Sequence, residues 1–417
     1  MAIVDLFPTS LRLLGRPVLV VGGGTVAARR AKALLDAGAQ VTLVAPVLSV
    51  PAQELADAGL LRWHARGYES TDMTQAWYVV AATNNSAVDS RVALDAEANR
   101  TWCVNHSNAQ ESAAWTPAVA TVEDIKVAVN AGGDPLRAVA IRNAISAALE
   151  IGELPLRRYR TAGQRGSVAL VGGGPGAEDL ITVRGRRLLA EADVVVADRL
   201  GPRGLLSTLS DDVKIIEVGK TPGHHPVTQS EINAILVREA QAGNRVVRLK
   251  GGDPYVLGRG GEEAIACREN GVDVQVVPGV TSAVSVPAAA GIPVTHRGLA
   301  KAFTMISGHE ELENVPQGSD HTVVLLMGVG TLNRSIPLLE AAGRGPDCPV
   351  AIIENGYAKN QRVTIGTLGT IVALAQAGRV RNPAVVVVGD VVRVSPLAPI
   401  ELATANYGTR ETISSLS

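Results

Sequence analysis

The sequence predicts an α/β protein: a doubly wound parallel sheet at the N-terminus, followed by a second and a third α/β series. Three observations carry that prediction. Short β-branched runs end in glycine and alternate with segments of helical spacing. Aromatic residues make up 3% of the chain against 43 glycines and a hydrophobic fraction of 46%, so the cores are built of Val, Ala, Leu and Ile, as in buried parallel strands. A length of 417 residues exceeds one ordinary core and implies about two to three domains.

Residues 16–22 (RPVLVVG) read as the first strand, 26–37 as a helix and 40–45 as the next strand, one βαβ unit. Strands follow at 60–65 and 77–82, then a helix at 87–99 and a strand at 101–105. Residues 115–121 and 125–130 read as two more strands, and 135–149 as a helix begun by Pro135. The polar, basic, breaker-rich stretch 152–166 (GELPLRRYRTAGQRG) marks a boundary. A second series starts at 167–172, with strands at 193–197, 213–218, 245–250 and 272–277. Within it, Thr228 and Glu231 form a capping box ahead of a helix at 232–241. A third series places strands near 303–307, 322–327, 350–354 and 384–388. The expected organisation is a Rossmann-like domain over 1–112, a small α+β linking and dimerising extension over 113–165, two α/β subdomains over 166–300 and 301–397, and a tail over 398–417.

The net charge of −1 excludes a global electrostatic pull toward nucleic acid, and no basic–aromatic stripe is present. Cys103, Cys267 and Cys348 form neither a CxxC nor a zinc spacing and read as reduced thiols. Residues 276–294, the most apolar long stretch, hold three prolines and two glycines, which argues against a spanning helix. No signal peptide is visible ahead of Asp5, and the expectation is a cytoplasmic chain with no membrane partner.

Gly22, Gly24 and Ala27 fit G-x-G-x-x-A between a strand and a helix. The first glycine allows the tight turn, the second lets a pyrophosphate approach the helix N-terminus, and Ala27 allows close packing. A glycine turn that serves packing alone is the plainer alternative. The expected NAD contacts are Gly22, Gly24, Thr25, Val26, Pro46 and Val47. The second strand runs into Val44-Ala-Pro46 instead of the acidic residue that usually holds a ribose. In the second glycine cluster, Gly172–Gly176, Pro175 removes a donor and suits a wall against an uncharged or sulfonium group better than a phosphate cradle. Asp198, Lys220 and Asp253 then follow strand ends, where open α/β sheets bind ligands. On residue type alone, a surface salt bridge at Asp198 and a solvated Lys220 would be the default.

From about 168 to 390 the order GGGPG, VVADRL, VGK, RLKGGDPYVLGRGGEE, PGVTS, GIPVTHR, SGH, MG and ENG closely resembles the uroporphyrinogen-III C-methyltransferases. The N-terminal half resembles the precorrin-2 dehydrogenase and sirohydrochlorin ferrochelatase module, which is fused to this methylase in siroheme synthases. The resemblance implies a two-subdomain α/β tetrapyrrole methylase, a homodimer, and S-adenosylmethionine in the cleft between subdomains. It implies cofactor contacts at Pro175, Gly251, Gly252, Asp253, Val256, Thr281, Ser282, Met327 and Gly356. It makes Asp198 the proton acceptor and Lys220 the proton donor. The partners it implies are uroporphyrinogen III and partly methylated tetrapyrroles, with NAD as second cofactor and Fe2+ as a candidate substrate. Their carboxylates call for cations, and Arg199, His225, Arg248, Arg259 and Arg297 lie in or beside the matched motifs. His64 and His321 read as packing or solvated residues.

The N-terminal module departs from its family. The functional aspartate of V-N-V-V-D falls on Asn108 or Ser107, and an amide is no general base. The family loop S-x-G-G-x-S-P is Asn130-Ala-Gly-Gly-Asp-Pro135 without either serine. Two readings follow: a methyltransferase joined to an NAD-dependent dehydrogenase and ferrochelatase, or a methyltransferase whose N-terminal module only binds and dimerises. The missing carboxylate near Asn108 discriminates them, and Asn108→Asp is expected to accelerate the NAD-dependent step.

Overall fold

The computed structural model describes residues 6–154, 156–157, 163, 165–198, 201–219, 227–308, 312 and 315–404. The chain divides into two units, Met1–Ser146 and Ala147–Ser417. In the first, β1 (Pro17–Val21), α1 (Thr25–Asp36), β2 (Gln40–Val44), α2 (Val50–Asp57), β3 (Arg62–His64), β4 (Tyr78–Ala81), α3 (Ser86–Ala98) and β5 (Trp102–Asn105) follow one another. The strands lie side by side in the order β3-β2-β1-β4-β5, all parallel. The chain direction across the sheet reverses beside β1, so the crevice for a ligand opens at its C-terminal end. Helix α1 buries Ala27, Ala28, Ala31 and Leu34, and its small side chains let it lie close on the sheet. The second part of this unit is an antiparallel hairpin of β6 (Ala118–Val122) and β7 (Ile125–Val129). Helix α4 (Pro135–Glu150) follows, and its amides at Arg137 and Ala138 bond the Asp134 side chain and carbonyl.

The second unit starts with β8 (Ser167–Gly172), α5 (Val183–Ala190), β9 (Val194–Ala197), α6 (Arg203–Leu206) and β10 (Lys214–Glu217). It continues through α7 (Gln229–Gln241), β11 (Arg245–Lys250), α8 (Gly260–Glu269) and β12 (Asp273–Val277). These strands form a parallel sheet in the order β10-β9-β11-β8-β12. The capping box expected at Thr228 and Glu231 is present at the start of α7. Leu236 and Ala264 pack α7 and α8 against Val168, Leu170 and Val246 on one face, while Leu189 of α5 joins Val171 and Val195 on the other. Full burial of one such leucine contributes about 1.5–3 kcal/mol.

After α9 (Ser282–Ala289) come β13 (Phe303–Ser307), β14 (Thr322–Leu326), α10 (Leu332–Leu339), β15 (Pro349–Glu354), β16 (Arg362–Thr367), α11 (Leu368–Ala377), β17 (Ala384–Val388) and α12 (Ile400–Thr404). The third sheet, ordered β13-β14-β17-β15-β16, is mixed: β13 and β14 are parallel, the other pairs antiparallel. Strand β16 and helix α2 were not anticipated from sequence, and α12 stands where a tail was expected. Alternate residues of β14 serve opposite faces, Val323 and Leu325 toward α10 and α11, Val324 toward α9. Helix α9 thus belongs to the second series by sequence but buries Ala283 and Val286 against Val324, Ile353 and Val385 of the third sheet. Cys103, Cys267 and Cys348 are free and buried, and burial pushes their thiols up to about 12, 11 and 11. No helix among the described residues is long and apolar enough to cross a membrane.

Candidate functional site

At the C-terminal end of β1 the glycine loop is shaped by close backbone approach. Gly22 has φ +123°, and a Cβ there would stand 2.2 Å from the Ala82 carbonyl oxygen, so only glycine fits. The Gly22 amide donates to Val44 O (2.9 Å) and the Ser49 amide to Gly23 O (2.7 Å), tying the loop to the ends of β1 and β2. A Cβ on Gly24 would meet nothing within 4 Å. Gly24 caps α1 without a side-chain hydrogen bond, so the first amides of α1 face open space. Thr25, Val26, Pro46 and Val47 are exposed around it. The Ser49 hydroxyl, on the loop after β2, is buried and lacks a hydrogen-bond partner. An anion-ready helix end, room at Gly24 and an orphaned hydroxyl fit a dinucleotide, and Ser49 is a polar group near the missing acidic position that sequence reasoning passed over.

Beyond β5 the chain turns on Asn105, which is buried and accepts from the Ser107 and Asn108 amides at 2.9 and 3.1 Å. His106 faces α1: Arg30 Nε donates to its Nε2 at 3.1 Å. Desolvation and the Arg30 and Arg29 guanidiniums push that imidazole below its ordinary range. The Ser107 hydroxyl donates to Asp89, a fully buried residue of α3 that also takes the Thr83 amide and hydroxyl. Asn108 accepts from the Gln110 amide and donates from Nδ2 to Glu111 Oε1 at 2.9 Å, while Asn105 Nδ2 donates to Glu111 Oε2 at 3.0 Å. Neither Ser107 nor Asn108 is itself a carboxylate, as read from the sequence, but each hydrogen-bonds one. Glu111, exposed and pinned through both oxygens, presents one beside Asn108.

In the second unit three loops meet beyond β8, β11 and β12. Gly174 and Gly252 exchange backbone hydrogen bonds at 3.2 and 2.6 Å. A Cβ on Gly279 would lie 2.2 Å from Gly252 O and 2.6 Å from Gly172 Cα, so the crossing tolerates no side chain. Asp253 links the loops by accepting the Tyr255 amide (2.8 Å) and the Gly279 amide (2.9 Å). Thr281 caps α9 by accepting the Ala283 amide at 3.3 Å. A Cβ on Gly252 would reach 3.6 Å from the Ser282 amide nitrogen and hydroxyl, a small cradle walled by the two loops. Four residues after Ser282, on the same face of α9, Val286 meets Gly356 so closely that a Cβ there would be 2.8 Å away. Helix α9 thus brings Ser282 and Gly356 to one edge. Met327 directly follows β14 with φ +58° and is 47% exposed, at the same end of the strand as Gly328. Pro175 and Val256 are half-buried on the flanking loops. The backbone cradle, the Ser282 hydroxyl and the exposed methionine fit a small polar ligand that ends in a methyl-bearing, positively charged sulfonium.

Asp198 follows β9, and its amide donates to Leu249 O at 3.1 Å, one ladder step from Gly251. Arg248 Nη2 grips its Oδ1 at 2.6 Å. Arg248 itself is 2% exposed and bonds Glu263 through Nε at 3.1 Å and the Val196 and Leu249 carbonyls through Nη1 at 3.3 Å. The expectation that Arg248 meets substrate carboxylates is corrected: every edge of its guanidinium is already engaged inside the protein. Breaking such a buried pair from one side costs about 3–5 kcal/mol. Lys250 Nζ joins Glu263 at 3.0 Å, and desolvation together with Arg248 pushes its ammonium below the ordinary range. Arg259, at φ +59°, forms a two-pronged pair with Glu262 at 2.8 and 2.7 Å on the surface, and Arg297 is exposed near the His296–Ala300 bridge. Lys220, Arg199 and His225 lie outside the described residues. His321 bonds Thr304 at 2.8 Å, and His64 stands 4.0 Å from Asp72. Among the described residues no group of three or more His, Cys, Asp or Glu side chains is gathered to hold a metal ion.

Comparison with known proteins agrees with this division. Residues 167–372 match the Tetrapyrrole (Corrin/Porphyrin) Methylases family and residues 9–118 match the Putative NAD(P)-binding family. A siroheme synthase of Methylobacillus flagellatus is 35% identical, over 94% of this chain and 96% of its own. An S-adenosyl-L-methionine-dependent uroporphyrinogen III methyltransferase of Methanosarcina barkeri is 48% identical over 55% of this chain and 94% of its own. The crystal structure of the Thermus thermophilus uroporphyrin-III C-methyl transferase with S-adenyl homocysteine is 40% identical, covers 55% of this chain and 99% of its own, and superposes with a TM-score of 0.47. With more than a third of positions identical along nearly the whole of both chains, this chain belongs to the siroheme synthase family.

Proposed function

We propose that the chain methylates uroporphyrinogen III to precorrin-2 in its second unit, and oxidises precorrin-2 to sirohydrochlorin in its first, with insertion of substrate Fe2+ as a further step. When bound, S-adenosylmethionine supplies an electrophilic methyl group and NAD a hydride acceptor. The observation that carries the reading is the convergence of the Gly172, Gly252 and Gly279 loops beside Asp198. Those loops with Thr281, Ser282, Met327, Gly356, Pro175 and Val256 hold and aim the methyl donor, since orientation supplies much of the rate in such a transfer. Asp198, half-exposed at the mouth, takes the proton released when the methylated pyrrole regains neutrality, and Lys220 donates one elsewhere on the macrocycle. Arg259 and Arg297 meet substrate carboxylates from the surface.

In the first unit Gly22, Gly24, Thr25, Val26, Pro46 and Val47 surround the nucleotide, with Ser49 on its ribose side. Glu111 serves as proton acceptor for the oxidation, supported by its two amide clamps and its exposure at the sheet end. The reading includes a homodimer and a cytoplasmic location, the latter supported by three free, buried thiols. The test is stepwise and anaerobic: uroporphyrinogen III with S-adenosylmethionine, then NAD, then ferrous iron, identifying the tetrapyrrole after each addition. Dimethylation, oxidation and metallation in turn are expected. Absence of methyl transfer overturns the reading, and arrest at precorrin-2 reduces the first unit to a binding module.

A further inference from the structure

Both ends of the RLKGGDPYVLGRGGEE segment fold back onto each other, and the meeting point is a buried chain of alternating charge. Glu263 on α8 is wholly buried. Its Oε1 receives Arg248 Nε at 3.1 Å, Lys250 Nζ at 3.0 Å and Gln229 Nε2 at 3.3 Å. Its Oε2 is buried and has no partner. A carboxylate serving only to neutralise an arginine would use both oxygens in a fork. Here one oxygen is shared by two cations. One of them, Arg248, passes through its far nitrogen to Asp198. The side chains of Glu263, Arg248 and Lys250 are 0%, 2% and 4% exposed, and that of Asp198 is 30% exposed. Shielded from water, these charges act on one another with little screening.

We propose that Glu263 is a positioning residue for methyl transfer: by drawing on the Arg248 guanidinium from behind, it sets how firmly Arg248 holds the Asp198 carboxylate. The inference rests on the reading of Asp198 as the proton acceptor. An arginine with no other partner could close both prongs on that carboxylate, whereas here Arg248, divided between two carboxylates, meets Asp198 through one prong, Nη2 to Oδ1. Stability is a weak reason for the arrangement, because apolar side chains of similar volume usually serve a core as well as buried ions. Among the described residues the charged groups facing the cluster are Arg248 and Lys250 on β11 and Glu263 and, farther out, Glu262 on α8, where the Cys267 thiol also faces Glu263. Helix α7 contributes the neutral Gln229, and on β10 Glu217 is engaged by Arg203 at 2.9 Å.

The test uses the full chain carrying Glu263→Gln, alone and combined with Lys250→Met. Glutamine keeps the shape and the acceptor, and Lys250→Met removes the buried cation left without a counter-charge. In Glu263→Gln, which removes the negative charge behind Arg248, the acid limb of the methyl-transfer pH profile is expected to move down by about one pH unit, and by less in the double variant, where loss of the Lys250 cation opposes the shift. The plateau rate should fall about tenfold, and S-adenosylhomocysteine affinity by calorimetry should stay within about twofold. A cofactor-free readout follows the same group: the carboxyl NMR titration present in the Glu263→Gln chain and absent when Asp198→Asn is added should sit lower than its wild-type counterpart. An unmoved acid limb and titration, with or without loss of rate, overturns the proposal, as does failure of both variants to fold, which would assign the cluster to stability. Full activity of Asp198→Asn in the otherwise unaltered chain would instead overturn the reading of Asp198 itself.

Discussion

Gly252→Ala separates what the second unit needs to fold from what it needs to bind. Gly252 has φ +64°, a left-handed conformation that costs an alanine about 1–2 kcal/mol. The added methyl meets only ordinary contacts, 3.6 Å from the Ser282 nitrogen and hydroxyl, so no further steric loss is expected. At about 2–4 °C per kcal/mol for a domain of roughly this size, the thermal midpoint should drop by a few degrees. Affinity should suffer more, because the methyl occupies the cradle between the Gly252 and Ser282 loops. Overfilling a close-packed contact costs about 1–3 kcal/mol, or about 5- to 150-fold in Kd. Gly271→Ala is the matched control: its φ is +69°, a Cβ there meets nothing within 4 Å, and it lies before β12, at the opposite end from the Gly279 loop. The two variants should lose similar stability by scanning fluorimetry, while only Gly252→Ala weakens S-adenosylhomocysteine binding in calorimetry. Equal affinities would refute the assignment of this loop to the methyl donor.

In the first unit, Gly24→Ala should cost within about 0.5 kcal/mol of stability, since nothing lies within 4 Å, yet weaken NAD binding measured by fluorescence titration while methyl transfer is unchanged. Glu111→Gln should slow the NAD-dependent oxidation by about 10²- to 10⁴-fold in stopped-flow absorbance. Asn108→Asp, expected from sequence to accelerate it, should instead slow it, because an ionised carboxylate cannot donate to Glu111 and repels it across 2.9 Å. Asp72 is held below the usual carboxylate range, chiefly by its hydrogen bonds from Arg66 at 2.8 and 2.6 Å. A depressed carboxylate stabilises the fold above its unfolded value and loses that contribution as pH falls through its folded value. Asp72→Asn should therefore lower the thermal midpoint at pH 7 and converge with wild type below about pH 4; a constant difference down to pH 2 would exclude this linkage.

Local information was enough for much of this protein. Strand periodicity located β1, β2, β4, β5, β8, β11 and β17, because a buried parallel strand needs an apolar run wherever its neighbours come from. The capping box at Thr228 and the glycine turn at Gly22 were legible because their chemistry closes within a few residues. Motif order located the loops around Gly252 and Thr281 without any knowledge of packing. The sequence left open what depends on contacts distant along the chain. Strand direction has no local signature, so the antiparallel β14, β15, β16 and β17 pairing in the third series was unread. The place of Glu111 beside Asn108 was invisible because its orientation depends on a turn that Asn105 closes from inside the sheet. Arg248 looked like a substrate ligand by residue type. Only the packing of α8 over β11 gives it Glu263, and only the pairing of β9 with β11 gives it Asp198. Side-chain period and turn chemistry are set by neighbours in sequence, whereas burial, and with it the strength and purpose of a charge, is set by which elements the fold stacks together.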